Sequence, residues 1–226
     1  MRIKELIPWR IRYRLDRCLE ERLRPTNTGL YKFLKFGRTN INTAKYWDKV
    51  WRTDTSDRDY QELFQLICDR IPAGSRVLDV GCGMGILARR LRETRGASVM
   101  ALDFSAHACR ALAAEGFETI VSKLPAIPVP DQSFDVAVCT EVLEHLDHPE
   151  RTLTQMFRVV RRGGLVMCSA PDDALHPHRE LEHQTAFTRQ RFEQLMGTMG
   201  DNFEVIQGRV EQSDQPNFLL GILRRS

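Results

Sequence analysis

A doubly wound α/β fold is what this sequence predicts, on three observations. The stretch Arg76-Val77-Leu78-Asp79-Val80-Gly81-Cys82-Gly83-Met84-Gly85 is a short apolar run carrying one acid and ending in three alternate glycines. It reads as a buried strand feeding a tight turn and then a helix, being too short for a buried helix. Downstream, short apolar runs alternate with segments of helical spacing, the pattern of a parallel sheet with crossover helices. The length of 226 residues suits one such domain with additions and can bury a substantial core, so two compact domains are not expected.

The elements follow in chain order. After Pro8, residues 9–23 read as a helix with Ile11, Leu15, Leu19 and Leu23 at every fourth position and arginines between them, ended by Pro25 to Gly29. Residues 1–38 hold 11 Lys/Arg against 4 Asp/Glu, a balance of +7 that leaves −4 for residues 39–226. The basicity is therefore local, and residues 1–38 are expected to be a segment distinct from a domain spanning 39–226. Three roles compete for it. It packs on the domain or on a twin subunit in a homodimer, lies on an anionic membrane surface with Trp9 at the interface, or tracks a nucleic acid with Tyr31, Phe33 and Phe36 among its lysines. Tyr46, Trp47 and Trp51 are spaced to share a helical face. Residues 60–71 form an amphipathic helix with Leu63, Phe64, Ile67 and Ile71 inward, stopped by Pro72 and Gly74.

Strands are then expected near 76–80, 97–102, 118–121, 133–139 and 163–170, with helices near 84–94, 105–115 and 149–161. Pro149 suits a first helical turn, and Gly163-Gly164 suit a helix end. Thr188 reads as the N-cap of a helix over about 189–199, and 202–208 and 217–223 as the last two strands. Six cysteines (18, 68, 82, 109, 139, 168) are scattered without a Cys-x-x-Cys pair, against a zinc site or disulfide framework and in favour of a reducing compartment. With no signal-like segment and no run of 18 apolar residues, the expected location is the cytoplasm, with peripheral contact at the inner membrane surface under the membrane reading.

The glycine turn calls for a ligand. Dinucleotide folds want Gly-x-Gly-x-x-Gly, and the third position here is Ile86. Asp79 would repel a pyrophosphate, so a cationic ligand without phosphates suits the turn better. The next run closes on Asp103, 24 residues after Asp79, where a carboxylate would grip a ribose diol. These residues resemble the class I S-adenosylmethionine-dependent methyltransferases. Residues 77–85 look like that family's first motif and Leu102-Asp103-Phe104-Ser105 like its second. The stretches 128–136 and Glu141-Val142-Leu143-Glu144-His145-Leu146 also fit in order and spacing, and the resemblance covers roughly residues 44–208.

The resemblance implies a Rossmann-like seven-stranded sheet with helices on both faces, the last two strands a hairpin and one strand antiparallel, preceded by an amino-terminal helical extension. It implies S-adenosylmethionine as cofactor, held by Tyr46, Asp79, Gly81, Cys82, Gly83, Gly85, Asp103, Phe104, Lys123, Leu124, Cys139 and Glu141. Asp79 and the glycine loop would meet its methionine half, Asp103 its ribose and Phe104 its adenine. Lys123 stands where many relatives carry an acid for the adenine amino group, which is a departure. Glu141, Glu144 and His145, at i, i+3 and i+4, would project from one side of a helical turn on the ligand rim. His183, in the 176–183 cluster of histidines and acids, would face them. One reading makes the acids caps of backbone groups. Another has Glu141, Glu144, His145 and His183 bind a divalent metal such as magnesium or manganese, as a similar block does in the quinone-biosynthesis O-methyltransferases and the small-RNA 2'-O-methyltransferases. His145 and His183 are the candidate catalytic bases. The expected activity is methyl transfer to an oxygen of a small or lipid-linked metabolite, since the acidic remainder of the chain would repel a nucleic-acid backbone. Metal-dependent RNA 2'-O-methylation and a non-catalytic cofactor-binding partner protein are the alternatives.

Overall fold

The computed structural model describes residues 30, 32–34, 40–53, 60–173, 181–209 and 217–226. The expected helix at 9–23 and the histidines at 176 and 178 lie outside them. After the helical residues 30 and 32–34 come two helices, α1 (Ala44–Thr53) and α2 (Gln61–Arg70). The sheet follows as β1 (Arg76–Val80), α3 (Ile86–Arg95), β2 (Ser98–Asp103), α4 (Ala106–Ala114), β3 (Glu118–Val121) and β4 (Phe134–Cys139). A short 3-10 turn (Leu143–His145), α5 (Pro149–Val159), β5 (Val160–Pro171), α6 (Arg189–Gly197), β6 (Phe203–Gly208) and β7 (Phe218–Arg224) complete it.

The strands form one seven-stranded sheet in the order β3-β2-β1-β4-β5-β7-β6. β1 to β5 run parallel, and β7 is antiparallel to both β5 and β6, as expected. Side chains alternate between two cores. Val77, Val99, Ala101, Val136, Val138 and Met167 meet Leu63, Ile67, Leu87 and Leu91 on one face. Leu78, Val80, Leu102, Ala137, Val166 and Cys168 meet Leu153, Met156, Phe192 and Leu195 on the other. Burial on both faces is why the central strands read as continuous apolar runs.

One boundary differs from expectation. α5 stops at Val159, and β5 begins at once with Val160 paired to Phe134; the register then shifts before Val136 pairs with Leu165. Arg161 lies 2.7 Å from the Asp135 carboxylate, and the lack of a Cβ at Gly164 admits the Asp135 carbonyl. Gly163-Gly164 thus serve a strand irregularity and not a helix end. Thr188 does cap α6, its side chain accepting from Arg191 N.

In such a sheet the carboxyl ends of the strands, beside the point where strand order reverses, form the ligand rim. Here that point lies between β1 and β4.

Candidate functional site

A cavity of about 800 Å³ opens on this rim, within the ~300–1,000 Å³ range of small-molecule sites. The turn after β1 forms its floor. Gly83 and Gly85 take φ of 48° and 75°, a region costly for other residues. A Cβ at Gly83 would lie 2.9 Å from the Trp51 ring, and one at Gly85 2.3 Å from Leu112. Four of the turn's amides are already committed. Gly81 N and Cys82 N donate to Leu102 O at 2.7 and 3.1 Å, Gly83 N to Asp103 Oδ2 at 3.0 Å, and Gly85 N to Cys82 O at 2.8 Å. With the amides of all three glycines turned inward, the loop is a poorer phosphate cradle than the one dinucleotide folds use.

Two carboxylates stand at the turn. Asp79 is 1% exposed, and its Oδ2 has no hydrogen-bond partner. Burial, with the Asp103 charge adding to it, pushes its pKa from 3.8 up to about 7. Asp103 Oδ1 accepts from Ser105 N at 2.7 Å, its Oδ2 from Gly83 N. Burial raises its pKa while these amides oppose the rise. A buried acid with an unmet lone pair, at the end of a strand, is a receptor for a cationic donor such as an ammonium group. The residues therefore fit S-adenosylmethionine, whose methionine half carries that group.

α1 covers this floor. It docks on α4 through Asp48, which accepts from Ser105 Oγ at 2.5 Å and from His107 N at 3.1 Å; these bonds hold its carboxyl below the usual range. Just before α1, Asn42 Nδ2 donates to His145 O and Glu182 O at 3.1 and 2.7 Å, while its Oδ1 accepts from Trp47 Nε1 at 3.0 Å. The Tyr46 hydroxyl bonds Glu182 Oε1. Lys32, 4% exposed, donates from Nζ to His183 O at 3.1 Å. Glu144 O in turn accepts from Gln184 N and Thr185 N at 2.7 and 3.0 Å. Lys32, Asn42 and Tyr46 thus strap the loop carrying His183 against the 3-10 turn carrying His145.

The four expected polar residues are not brought together as a set. The helical turn begins only at Leu143; Glu141 precedes it with φ of 54°, and its Oε1 accepts from Ser169 Oγ at 2.7 Å. Glu144, His145 and His183 do converge, with one ligand-type atom of each within 4.8 Å of the others. The two imidazole rings lie 5.2 Å apart, and Trp47 packs on His145 at 5.0 Å. Of the expected cofactor residues, Tyr46, Asp79, Gly81, Cys82, Gly83, Gly85, Asp103, Phe104, Lys123, Leu124 and Glu141 line the cavity. Cys139 does not: its side chain is fully buried in the core opposite Cys168, and burial lifts its thiol well above the usual range. The sequence reading named Trp51 on the aromatic face and held Glu182 within the 176–183 cluster, but it missed Asn42 and Asp48.

Known proteins offer three comparisons. A family model described as a methyltransferase domain matches residues 51–207. The ubiquinone biosynthesis O-methyltransferase of Pseudomonas fluorescens strain SBW25 is 37% identical over 105 residues, covering 43% of this chain and 44% of that protein. The chain thus aligns with under half the length of such curated relatives. Among solved structures, a chain of the complex between the Haloferax volcanii Trm112 methyltransferase activator and a methyltransferase superposes with a TM-score of 0.67 at 18% identity, covering 80% of this chain and 96% of that one. An S-adenosylmethionine-dependent methyltransferase of Thermotoga maritima gives 0.62 at 18%, covering 80% and 94%. At these identities the likeness is one of fold.

Proposed function

This chain belongs to the class I S-adenosylmethionine-dependent methyltransferases, and from that premise we propose that it transfers a methyl group from S-adenosylmethionine to an oxygen of a small or lipid-linked acceptor. The observation that carries the reading is the cavity floor, where a buried Asp79 oxygen has no hydrogen-bond donor while the amides of all three turn glycines and of Cys82 are bonded within the protein. The oxygen acceptor is supported by the name of the relative from Pseudomonas fluorescens. A lipid-linked one is supported by Leu30, Phe33 and Leu34, which are 45%, 55% and 48% exposed on the segment that packs against His183, and by the basic residues 1–38 around them.

S-adenosylmethionine, when bound, supplies an activated methyl: the S–CH3 bond breaks as the O–CH3 bond forms, the electron pair stays on sulfur, and the acceptor's hydroxyl proton is released. The chain's part is alignment, which supplies about 7–11 kcal/mol in favourable systems, and proton removal. Asp79 and Asp103 fix the donor against the glycine turn. His145 or His183 takes the proton on the facing side. The 3-10 turn and the strapped loop keep those imidazoles in place.

A metal-assisted variant is favoured by one observation, the convergence of Glu144, His145 and His183. A carboxylate with two imidazoles suits manganese or iron better than magnesium, and Glu141 stands outside the set. A metal held there would act as a Lewis acid that lowers the acceptor hydroxyl's pKa. Exhaustive chelation then abolishes turnover and spares cofactor binding, and His183→Ala abolishes manganese binding. Turnover by demonstrably metal-free protein leaves the histidines as bases alone. The reading as a whole is tested by incubating the protein with methyl-labelled S-adenosylmethionine and a panel of phenolic and lipid-linked hydroxyl compounds. Label in an acceptor with matching S-adenosylhomocysteine supports it, and label found only in amine acceptors overturns the oxygen assignment.

A further inference from the structure

We infer that Trp51 is a specificity-determining residue of this cavity, its indole Nε1–H donating to the α-carboxylate of the cofactor's methionine half. The inference rests on the reading of the cavity as an S-adenosylmethionine site. Trp51 Nε1 and Asp79 Oδ2 are both shielded from solvent, and neither meets a hydrogen-bond partner. One is an unmet donor and the other an unmet acceptor, and both belong to residues lining the same cavity. Buried polar groups left unpaired are rare and costly, so a coincidence of opposite polarity at one turn calls for a ligand that satisfies both.

The geometry places the indole at that turn. A Cβ on Gly83 would lie 2.9 Å from Trp51 Cζ2 and 3.5 Å from Cε2, the carbon bonded to Nε1. Asp79 enters the turn four residues earlier, at the end of β1. A group carrying an ammonium and a carboxylate on one carbon has the complementary polarity, the ammonium for Asp79 and the carboxylate for the indole. Several other donors near the turn already have acceptors. The amides of Gly81, Cys82, Gly83 and Gly85 have internal acceptors, and Trp47 Nε1 donates to Asn42 Oδ1. An indole N–H only donates, so the contact discriminates for an anion or a carbonyl and against a second cation.

The test is titration calorimetry of the full chain with S-adenosylmethionine and with its decarboxylated analogue, which keeps the sulfonium and the ammonium but lacks the carboxylate. Wild type should favour S-adenosylmethionine. Trp51→Phe should weaken S-adenosylmethionine binding roughly ten- to a hundredfold while leaving the analogue within about twofold, so that the preference collapses. Trp51→His, which retains a ring donor, should keep part of the preference and serves if the Phe variant folds poorly. Equal losses for the two ligands would show that the indole only packs on Gly83, and unchanged affinities would show no contact; either overturns the assignment. Failure of wild type to bind either ligand would instead overturn the cofactor reading on which the assignment rests.

Discussion

Asp79 couples the site to pH. Its pKa in the folded chain, about 7, lies above the ordinary 3.8, so the folded protein holds this proton longer than the unfolded one. The resulting stability is fully present below about pH 4, declines by up to ~1.4 kcal/mol per pH unit between about 4 and 7, and is absent above. The ligand-free protein should therefore lose melting temperature across that window, and Asp79→Asn should flatten this part of the profile. A cationic ligand reverses the sense, because the ionised carboxylate is the binding form. Cofactor binding at pH 6 should release a proton and at pH 8 almost none, which calorimetry in buffers of different ionisation enthalpy measures directly. Proton uptake at pH 6 would contradict the contact.

At the scale of elements, the close approach of α3 and α4 depends on Gly85. Its φ of 75° and the 2.3 Å separation between a Cβ there and Leu112 mean that Gly85→Ala strains the backbone and overpacks the core together. A loss of roughly 2–4 kcal/mol is expected in urea unfolding, the sum of a left-handed penalty and an overpacking cost. A loss under about 0.5 kcal/mol would mean that the turn rearranges freely. α1 is held differently, by the polar bonds that Asp48 accepts from α4 and its N-cap, and none of its residues is buried. Asp48→Ala removes both ties to α4 and should raise backbone hydrogen exchange across residues 44–53 while leaving β1 to β5 protected. Unchanged exchange in α1 would show that its aromatic contacts alone hold it.

Across the whole molecule, the charge division bears on how an acceptor arrives. We propose that the basic residues 1–38 attract the protein to anionic membranes. A chain beginning at Thr39 should keep cofactor binding and lose salt-sensitive attraction to phosphatidylglycerol vesicles. Full-length protein that ignores such vesicles at low salt would remove the membrane role. Loss of cofactor binding on truncation would favour the packed role, for which the bond from Lys32 to His183 O already speaks. The fold was legible in the sequence because its signals are local: the apolar run before Gly81, the caps at Pro149 and Thr188, and the short strands between helical segments. Asp103 was legible for the same reason, since its distance from Asp79 is set by one strand-helix-strand unit. Asn42 was not, because its partners His145 and Glu182 lie 103 and 140 residues away. Glu141 was misplaced because i, i+3 spacing implies a helix only where the backbone is helical, and its left-handed φ is invisible in residue order. Cys139 does end β4 at the rim, but a strand's last side chain can point to either face, and this one points into the core.

The central claim is that this rim holds S-adenosylmethionine through Asp79 and Asp103, and titration calorimetry of the full chain tests it most directly. Wild type should bind S-adenosylmethionine and give no heat with NAD. Asp103→Ala should weaken binding by about 1.5–3 kcal/mol, the worth of a hydrogen bond to a charged group, and Asp79→Ala should weaken it as well. Equal affinity for S-adenosylmethionine in wild type and in both alanine variants would contradict the account.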